Sequence, residues 1–130
     1  KIITYDDKDV FLTFSSGQVM RIWCLTTFQI LHEKYAYHHE NELVTNAAAC
    51  KNGINIATAD SGGYLKIWDI EQVSNEPSRK EVFKELVFIR AQKKEITCVD
   101  FAIFEDVPYI ITGSLDKNIR LYSLQGVLTG

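Results

Sequence analysis

Three short stretches of alternating apolar and polar residues share one pattern, and each of them ends in an aromatic side chain. Alternation of this kind places successive side chains on opposite faces of a β-strand, and a turn-forming Gly or Asp precedes each stretch. The residue two positions before the aromatic residue is basic in every copy, so both side chains lie on one face of the predicted strand. The copies span residues 17–23, 62–68 and 116–122.

The aromatic residues are separated by 45 and 54 residues, close to the roughly 40–45-residue length of a four-stranded propeller blade. The same order of strands recurs upstream: residues 44–49 correspond to 96–101, and residues 54–58 correspond to 109–113. The pattern therefore predicts an all-β chain of about three four-stranded antiparallel blades, incomplete at both ends. The predicted repeats span approximately residues 1–27, 28–71 and 86–125.

The longer second interval requires an insertion, which we place in the polar stretch 71–84. Its Pro and Ser content suits a loop between the third and fourth strands of a blade. Ser78 and Glu81 also have the spacing of a helix capping box, so a helical turn over residues 82–86 is the alternative. A loop on a rigid scaffold is a candidate contact with a partner, through its charged residues Glu76, Arg79 and Lys80.

The strand of residues 65–70 carries a Trp-Asp pair and resembles the strands of WD40 repeats (WD domain, G-beta type). Asp116, six residues before Tyr122, resembles the aspartate that hydrogen-bonds within the blade in that family. The resemblance covers nearly the whole chain and implies a WD40-type β-propeller. It implies structural roles in the repeats for Trp23, Trp68, Asp69, Asp116 and Tyr122.

The copies also depart from the family's pattern. Gly17 and Gly62 occupy the family's Asp position in the first two copies. Ala91-Gln92 replaces the family's Gly-His pair in the third copy, and His38-His39 only approximates it in the second. We therefore expect that no copy has the full Asp-His-Ser/Thr-Trp network, and that each blade depends more on packing.

The sequence begins partway through the opening strand of the first copy and stops near the outer strand of the last. Propellers usually have roughly 4–8 blades, and a stack of three exposes an apolar blade face at each end. We therefore expect a piece of a longer propeller, or a chain whose end faces are covered by neighbouring chains.

Charge and composition narrow the classes of partner. The net charge is −3 with the two signs interspersed, whereas contact with nucleic-acid phosphates requires a clustered basic stripe. No apolar run approaches the roughly 20 residues of a membrane helix. The three cysteines lack metal-ligand spacing and indicate a reducing compartment. We expect no nucleic acid, membrane, metal or other cofactor, and a cytoplasmic location.

Two motifs resemble chemical sites. Residues 59–63, Ala-Asp-Ser-Gly-Gly, resemble the nucleophile segment of chymotrypsin-like serine proteases. The histidine position of that family is Ala49 here, and no general base accompanies Ser61, so the motif indicates a β-hairpin turn. His38 and His39 are adjacent and would point to opposite faces of a strand, which does not suit joint metal binding. We predict no catalytic residue.

The resulting hypothesis is a non-enzymatic protein–protein interaction scaffold in a multiprotein assembly. One candidate contact is the recurring basic position, which would also suit a reader of phosphorylated or otherwise modified peptides. Alternatively, these side chains cover the strand surface with their aliphatic stems. The basic residues are Arg21, Lys66 and Arg120.

Three tyrosines offer a second candidate surface, because tyrosine is enriched in interaction hot spots. The alternative is that they pack between blades, since strands favour aromatic residues. The tyrosines are Tyr35, Tyr37 and Tyr64.

Two other functions stay open. Residues 60–70 resemble blades of multi-propeller WD-repeat proteins of cilia and axonemes, which implies a structural component of a ciliary, axonemal or other cytoskeletal complex. A propeller-fold hydrolase would require converging acid, base or metal ligands near the central channel, where the residues are mostly small or apolar.

Overall fold

In a computed structural model of the 130-residue chain, the described residues are 2–4, 10–15, 18–38, 42–52, 54–70 and 82–130. These residues form β-strands and turns, and no helix in this part of the chain is long and apolar enough to cross a membrane. The strands are β1 (Ile2–Thr4), β2 (Val10–Phe14), β3 (Val19–Cys24), β4 (Ile30–Tyr35), β5 (Val44–Ala49), β6 (Asn55–Asp60), β7 (Tyr64–Ile70), β8 (Phe83–Arg90), β9 (Ile96–Phe104), β10 (Val107–Ser114) and β11 (Ile119–Ser123).

The strands form three antiparallel sheets in chain order. The first sheet contains β1 to β4, the second contains β5 to β8, and the third contains β9 to β11. After β11, Leu128 forms an isolated bridge with Tyr122, and the Ser123 N–H donates to the carbonyl of Val127. The all-β fold with three sheets of propeller type is therefore confirmed.

Alternating burial explains why these segments form strands. In β2, Val10, Leu12 and Phe14 are buried, while the two residues between them are half-buried. β6 is buried at every position, since it is a central strand of the middle sheet. A strand of this kind needs apolar or small residues on both faces, or polar residues that are hydrogen-bonded.

Two apolar cores hold the sheets together. Leu12 and Ile22 of the first sheet share one core with Ile56 and Trp68 of the second. A separate core joins the opposite face of the second sheet to the third sheet; it includes Leu65, Ile67, Ile96, Val99 and Ile110. The second sheet is therefore covered on both faces by its neighbours.

The fourth strand of each complete sheet determines how the sequence repeats map onto the sheets. β4 pairs with β3 of the first sheet, and β8 pairs with β7 of the second. The segments 28–71 and 86–125 therefore each begin on the outer strand of one sheet and continue into the next sheet. Each sequence repeat is thus shifted by one strand relative to the sheets, so that the chain of one repeat connects two neighbouring sheets.

The segment after β7 differs from one alternative prediction. The helical turn over residues 82–86 is wrong, because Phe83–Arg90 is a strand that hydrogen-bonds along β7. Residues 83 and 84 of the predicted loop accordingly belong to this strand. Glu76, Arg79 and Lys80 lie outside the described residues.

Candidate functional site

A row of hydrogen-bonded polar side chains is buried in the second sheet. The indole Nε1 of Trp68 donates to Thr58 Oγ1 at 2.9 Å, and this hydroxyl lies 2.7 Å from His38 Nε2. The other ring nitrogen, His38 Nδ1, lies 2.7 Å from Asp60 Oδ2. All four residues are buried.

The donor and acceptor properties of these groups determine the direction of each hydrogen bond in the row. An indole N–H can only donate, and an ionised carboxylate can only accept. With the hydrogen of neutral His38 on Nδ1, the donors run from Trp68 through Thr58 and His38 to Asp60. Each member then has a partner, as a buried polar group requires.

This arrangement corrects the expectation that no copy has the full Asp-His-Ser/Thr-Trp network. The second sheet has it, and His38 occupies the histidine position. Its carboxylate comes from Asp60, the last residue of β6, rather than from Gly62, which was aligned with the family's Asp. Asp60 reaches the ring because its Oδ1 is fixed at the turn by the backbone N–H groups of Gly62 and Tyr64, at 2.9 and 2.8 Å.

The surroundings of Asp60 set its charge state. Burial raises the pKa of the carboxyl group, but hydrogen bonds from His38 and from the N–H groups of Tyr64 and Gly62 lower it. The net result is a pKa below the ordinary value of 3.8. Asp60 is therefore an anion at neutral pH and holds the histidine in place.

The third sheet has a related network with two replacements. With the amide of Gln92 oriented so that its nitrogen faces the carboxylate, Nε2 donates to Asp116 Oδ2 at 2.8 Å. Its Oε1 then accepts from Thr112 Oγ1 at 3.0 Å. Gln92 thus occupies the histidine's position, and the Tyr122 hydroxyl donates to the Ala91 carbonyl instead of to the threonine.

A threonine ten residues before the aromatic residue recurs in all three sheets. In the first sheet, Trp23 Nε1 donates to Thr13 Oγ1 at 2.9 Å, as Trp68 does to Thr58. These threonines were not predicted as network residues from the sequence. The constant spacing of ten residues was the signal that could have revealed them: Thr13, Thr58 and Thr112.

Two of the recurring basic residues hold the segments that enter these networks. Lys66 is only 4% exposed; its ammonium donates to the Tyr37 carbonyl at 2.8 Å, directly before His38. Arg120 donates to the Ala91 carbonyl at 3.0 Å, directly before Gln92.

The surroundings of the basic residues differ from one sheet to the next. The ammonium of Lys66 also lies 3.1 Å from Glu85 and 4.8 Å from the ring centroid of Phe88. Arg21 instead forms an ion pair with Glu33 at 2.6 Å, where both side chains are partly exposed. The structure therefore does not bring the three basic residues together on one open surface.

The predicted tyrosines lie in different surroundings. Tyr35 and Tyr37 are exposed and stacked, with ring centroids 5.5 Å apart. Tyr64 is half-buried, and the guanidinium of Arg90 lies 5.9 Å from its ring centroid. Tyr35 and Tyr37 thus present aromatic surface to solvent.

The remaining residues singled out in the sequence serve the sheets. Asp69 is half-buried on β7, opposite Asn55 on one side and Lys84 on the other. Ser61 lies in the turn between β6 and β7, and its hydroxyl donates to Glu42 Oε2 at 2.6 Å. The interpretation of residues 59–63 as a β-hairpin turn is confirmed. Among the described residues, no group of three or more His, Cys, Asp or Glu side chains is placed to hold a metal ion.

Comparison with known proteins confirms the resemblance stated above. The family model for the WD domain, G-beta repeat, matches residues 23–69 and 83–123, more than half of the chain. A search of curated proteins gave no match.

Two solved structures are similar to this chain. The crystal structure of the RRP9 WD40 repeats has a TM-score of 0.74 at 11% identity and covers 99% of this chain and 36% of that one. The structure of U3-55K has the same TM-score and identity and covers 99% of this chain and 37% of that one. At this identity the similarity shows the fold alone, and the chain spans little more than a third of their length.

Replacing Thr58 with valine keeps the side-chain shape and removes the central hydroxyl of the network. Two buried nitrogens, on Trp68 and His38, then lose a partner, so we expect Thr58→Val to lower the free energy of unfolding by about 2 kcal/mol or more. The matched control is Thr13→Val, which affects one half-buried indole and should cost less than about 1 kcal/mol. Urea unfolding of both variants measures the difference, and equal losses would contradict a special role for the buried network.

Replacing Asp60 with asparagine tests the charge of the network. Since the pKa of Asp60 is lower in the folded protein than its ordinary value of 3.8, its ionised form stabilises the fold above that pH. This contribution is lost as the pH falls through the folded-state pKa. We expect Asp60→Asn to be less stable than the wild type by about 1–3 kcal/mol at pH 7, and the difference to shrink below pH 3.8. Urea unfolding across this pH range is the measurement, and a difference independent of pH would refute the assignment.

Proposed function

Because the chain belongs to the family of WD40-repeat proteins, which have a β-propeller fold, we propose that it is a non-enzymatic scaffold for protein–protein interaction. Its partners would be other proteins of a multiprotein assembly, bound by the propeller faces and loops. The single observation that supports this proposal best is the contrast between buried polar and exposed apolar side chains.

The most extensive polar cluster in the described residues is used within the fold. His38, Asp60 and Thr58 hydrogen-bond with one another and are buried, which suits structural positioning. Large apolar side chains are instead exposed at the turns, including Phe28 and Phe104. Aromatic side chains are enriched at protein–protein interfaces relative to the rest of the protein surface.

The outward face of the third sheet, which points away from the second sheet, supports the proposal that this chain is part of a larger propeller. Ile111 directly precedes Thr112, as Leu12 directly precedes Thr13, and Ile119 stands three residues before its aromatic residue, as Met20 does. Leu12 and Met20 are 0% exposed, because the second sheet covers them. Ile111 and Ile119 are 38% and 77% exposed. We propose that another blade covers them in the complete protein.

We propose a cytoplasmic location for this scaffold. A cytoplasmic scaffold fits three free cysteines, of which Cys24 and Cys50 are buried in the described structure. A structural role in a cilium, axoneme or other cytoskeletal complex is the alternative. Imaging the tagged full-length protein in ciliated cells distinguishes the two, because the alternative requires enrichment along the cilium or another cytoskeletal structure.

A charge on the outward face of the third sheet tests whether another blade covers it. In the full-length protein we expect Ile111→Asp to lower the free energy of unfolding by about 3 kcal/mol or more, since the carboxylate would be buried without a partner. Gln125→Asp, in an exposed turn, is the control and should change stability by less than about 0.5 kcal/mol. Equal stability of the two variants in urea unfolding would mean that this face is open to solvent.

The connection between β7 and β8 tests the scaffold function. We expect replacement of residues 71–81 by a short Gly-Ser turn to remove at least one specific partner from the full-length protein, as detected by affinity purification and mass spectrometry. Val82 and Phe83 are kept because both are buried. A second variant changes only Glu76, Arg79 and Lys80 to alanine, and the same partner should be lost.

Circular dichroism first verifies that both variants fold. An unchanged set of partners in both would show that recognition lies elsewhere on the propeller. A wild-type protein that retains no partner would contradict the scaffold function.

A further inference from the structure

The turn before the third strand of each sheet is closed in the same way in all three sheets. Its last residue stands five positions before the aromatic residue and has a positive φ angle in each case. The N–H of this residue donates to the carbonyl three residues earlier, at 2.9 to 3.4 Å. The backbone is therefore held alike at three equivalent positions, which are Gln18, Gly63 and Lys117, with φ angles of 61°, 90° and 71°.

In the first two sheets, the carbonyl at this position holds the segment that leads to the next sheet. The Gln18 carbonyl accepts from the Ala36 N–H at 2.8 Å. The Gly63 carbonyl accepts from the N–H groups of Ala91 and Gln92 at 2.8 and 3.0 Å. Ala36 and Ala91 are both 0% exposed. A small, buried residue of the connecting segment thus bonds to the turn of the preceding sheet.

The equivalent turn of the third sheet has no such segment among the residues that the structure describes. Within these residues, no N–H donates to the Lys117 carbonyl. Lys117 is exposed, whereas Gln18 is half-buried. Ile119 stands two residues after Lys117, as Met20 stands two residues after Gln18, and Ile119 is exposed where Met20 is buried. The third sheet therefore has a turn of the kind that receives a connecting segment, beside a face of the kind that another sheet covers.

The residue type at this position restricts how a segment can approach. A β-carbon on Gly63 would overlap the carbonyl oxygen of Gln92, so the close approach seen in the second sheet requires glycine. Gln18 has a β-carbon and still receives the Ala36 N–H. Lys117 also has a β-carbon. It therefore suits the arrangement of the first sheet and excludes that of the second.

We propose that the turn at Lys117 is the docking site for a segment of the full-length protein that lies outside residues 1–130. A small residue of this segment donates its N–H to the Lys117 carbonyl, as Ala36 does to Gln18. The segment leads into the blade that covers the outward face of the third sheet. The residue two positions after the donor takes the place of His38, whose ring bonds to a threonine of its own sheet. This inference rests on the larger propeller proposed above and specifies where the chain of the next blade is bound.

Photocrosslinking in the full-length protein identifies the occupant of this turn. A diazirine-bearing analogue of lysine is placed at position 117, because a β-carbon at the equivalent Gly63 would point at the connecting segment. The matched control carries the analogue in place of Glu105, which also has a positive φ angle, of 50°, but lies in the turn at the other end of β10. We expect the analogue at position 117 to crosslink, on irradiation, to one peptide of the same polypeptide outside residues 1–130. The analogue at position 105 should not reach that peptide, and urea unfolding verifies that both proteins keep the wild-type midpoint.

Hydrogen exchange in the full-length protein tests the bond to the carbonyl. Lys117→Pro fixes φ at about −65° and so changes the direction of this carbonyl. We expect one backbone amide of the crosslinked peptide to exchange about tenfold faster or more in Lys117→Pro than in the wild type, because it loses its acceptor. Glu105→Pro alters the turn at the other end of β10 and is the control, in which the exchange of that amide should not change.

Each other outcome overturns the inference in a distinct way. A crosslink to a different protein would mean that a partner occupies this turn, and would leave the scaffold function intact. A crosslink confined to residues 1–130, or no crosslink, would mean that the turn receives no segment. The larger propeller itself would be refuted only if Ile111→Asp were also tolerated. A crosslink without a change in exchange would show that the segment lies beside the turn but does not bond to the Lys117 carbonyl.

Discussion

The fold depends on packing between neighbouring sheets. A single sheet cannot remove the apolar residues of its own faces from water, so each sheet requires a neighbour to cover them. The second sheet meets this requirement on both faces: Trp68 and Ile56 pack against the first sheet, and Leu65 and Ile67 pack against the third. The strands supply regular alternation, but the free energy of folding comes mainly from these contacts between sheets.

Polar side chains then determine how the sheets are joined. The segment before β5 is fixed by His38, whose ring bridges Thr58 and Asp60, and by the donation from Lys66 to the carbonyl just before the histidine. The segment before β9 is held in the same manner by Gln92 and Arg120. Both segments connect the outer strand of one sheet to the inner strand of the next. The networks therefore fix the position of each sheet relative to its neighbour. This role accounts for the buried His38 and Asp60, whose residue types are common in catalytic sites.

Regular features of the sequence predicted most of this fold. Apolar alternation and the spacing of Trp23, Trp68 and Tyr122 were sufficient for three sheets of propeller type, since a strand's pattern is local. The complete network of the second sheet was missed because Asp60 stands two residues before the aligned position at Gly62. Only the conformation of the turn shows that its carboxylate reaches His38.

Surface exposure was less predictable, because it depends on distant parts of the chain. Arg21, Lys66 and Arg120 are equivalent in sequence, yet Lys66 is buried by the segment before β5, and Arg21 is partly exposed beside Glu33. The predicted contact residues of the 71–84 stretch, Glu76, Arg79 and Lys80, remain a prediction.

The most direct test of this account is an experimental structure of the full-length protein. We predict that a further antiparallel sheet packs on the outward face of the third sheet and covers Ile111 and Ile119, as the second sheet covers Leu12 and Met20. A structure in which this face stays open to solvent would contradict the account.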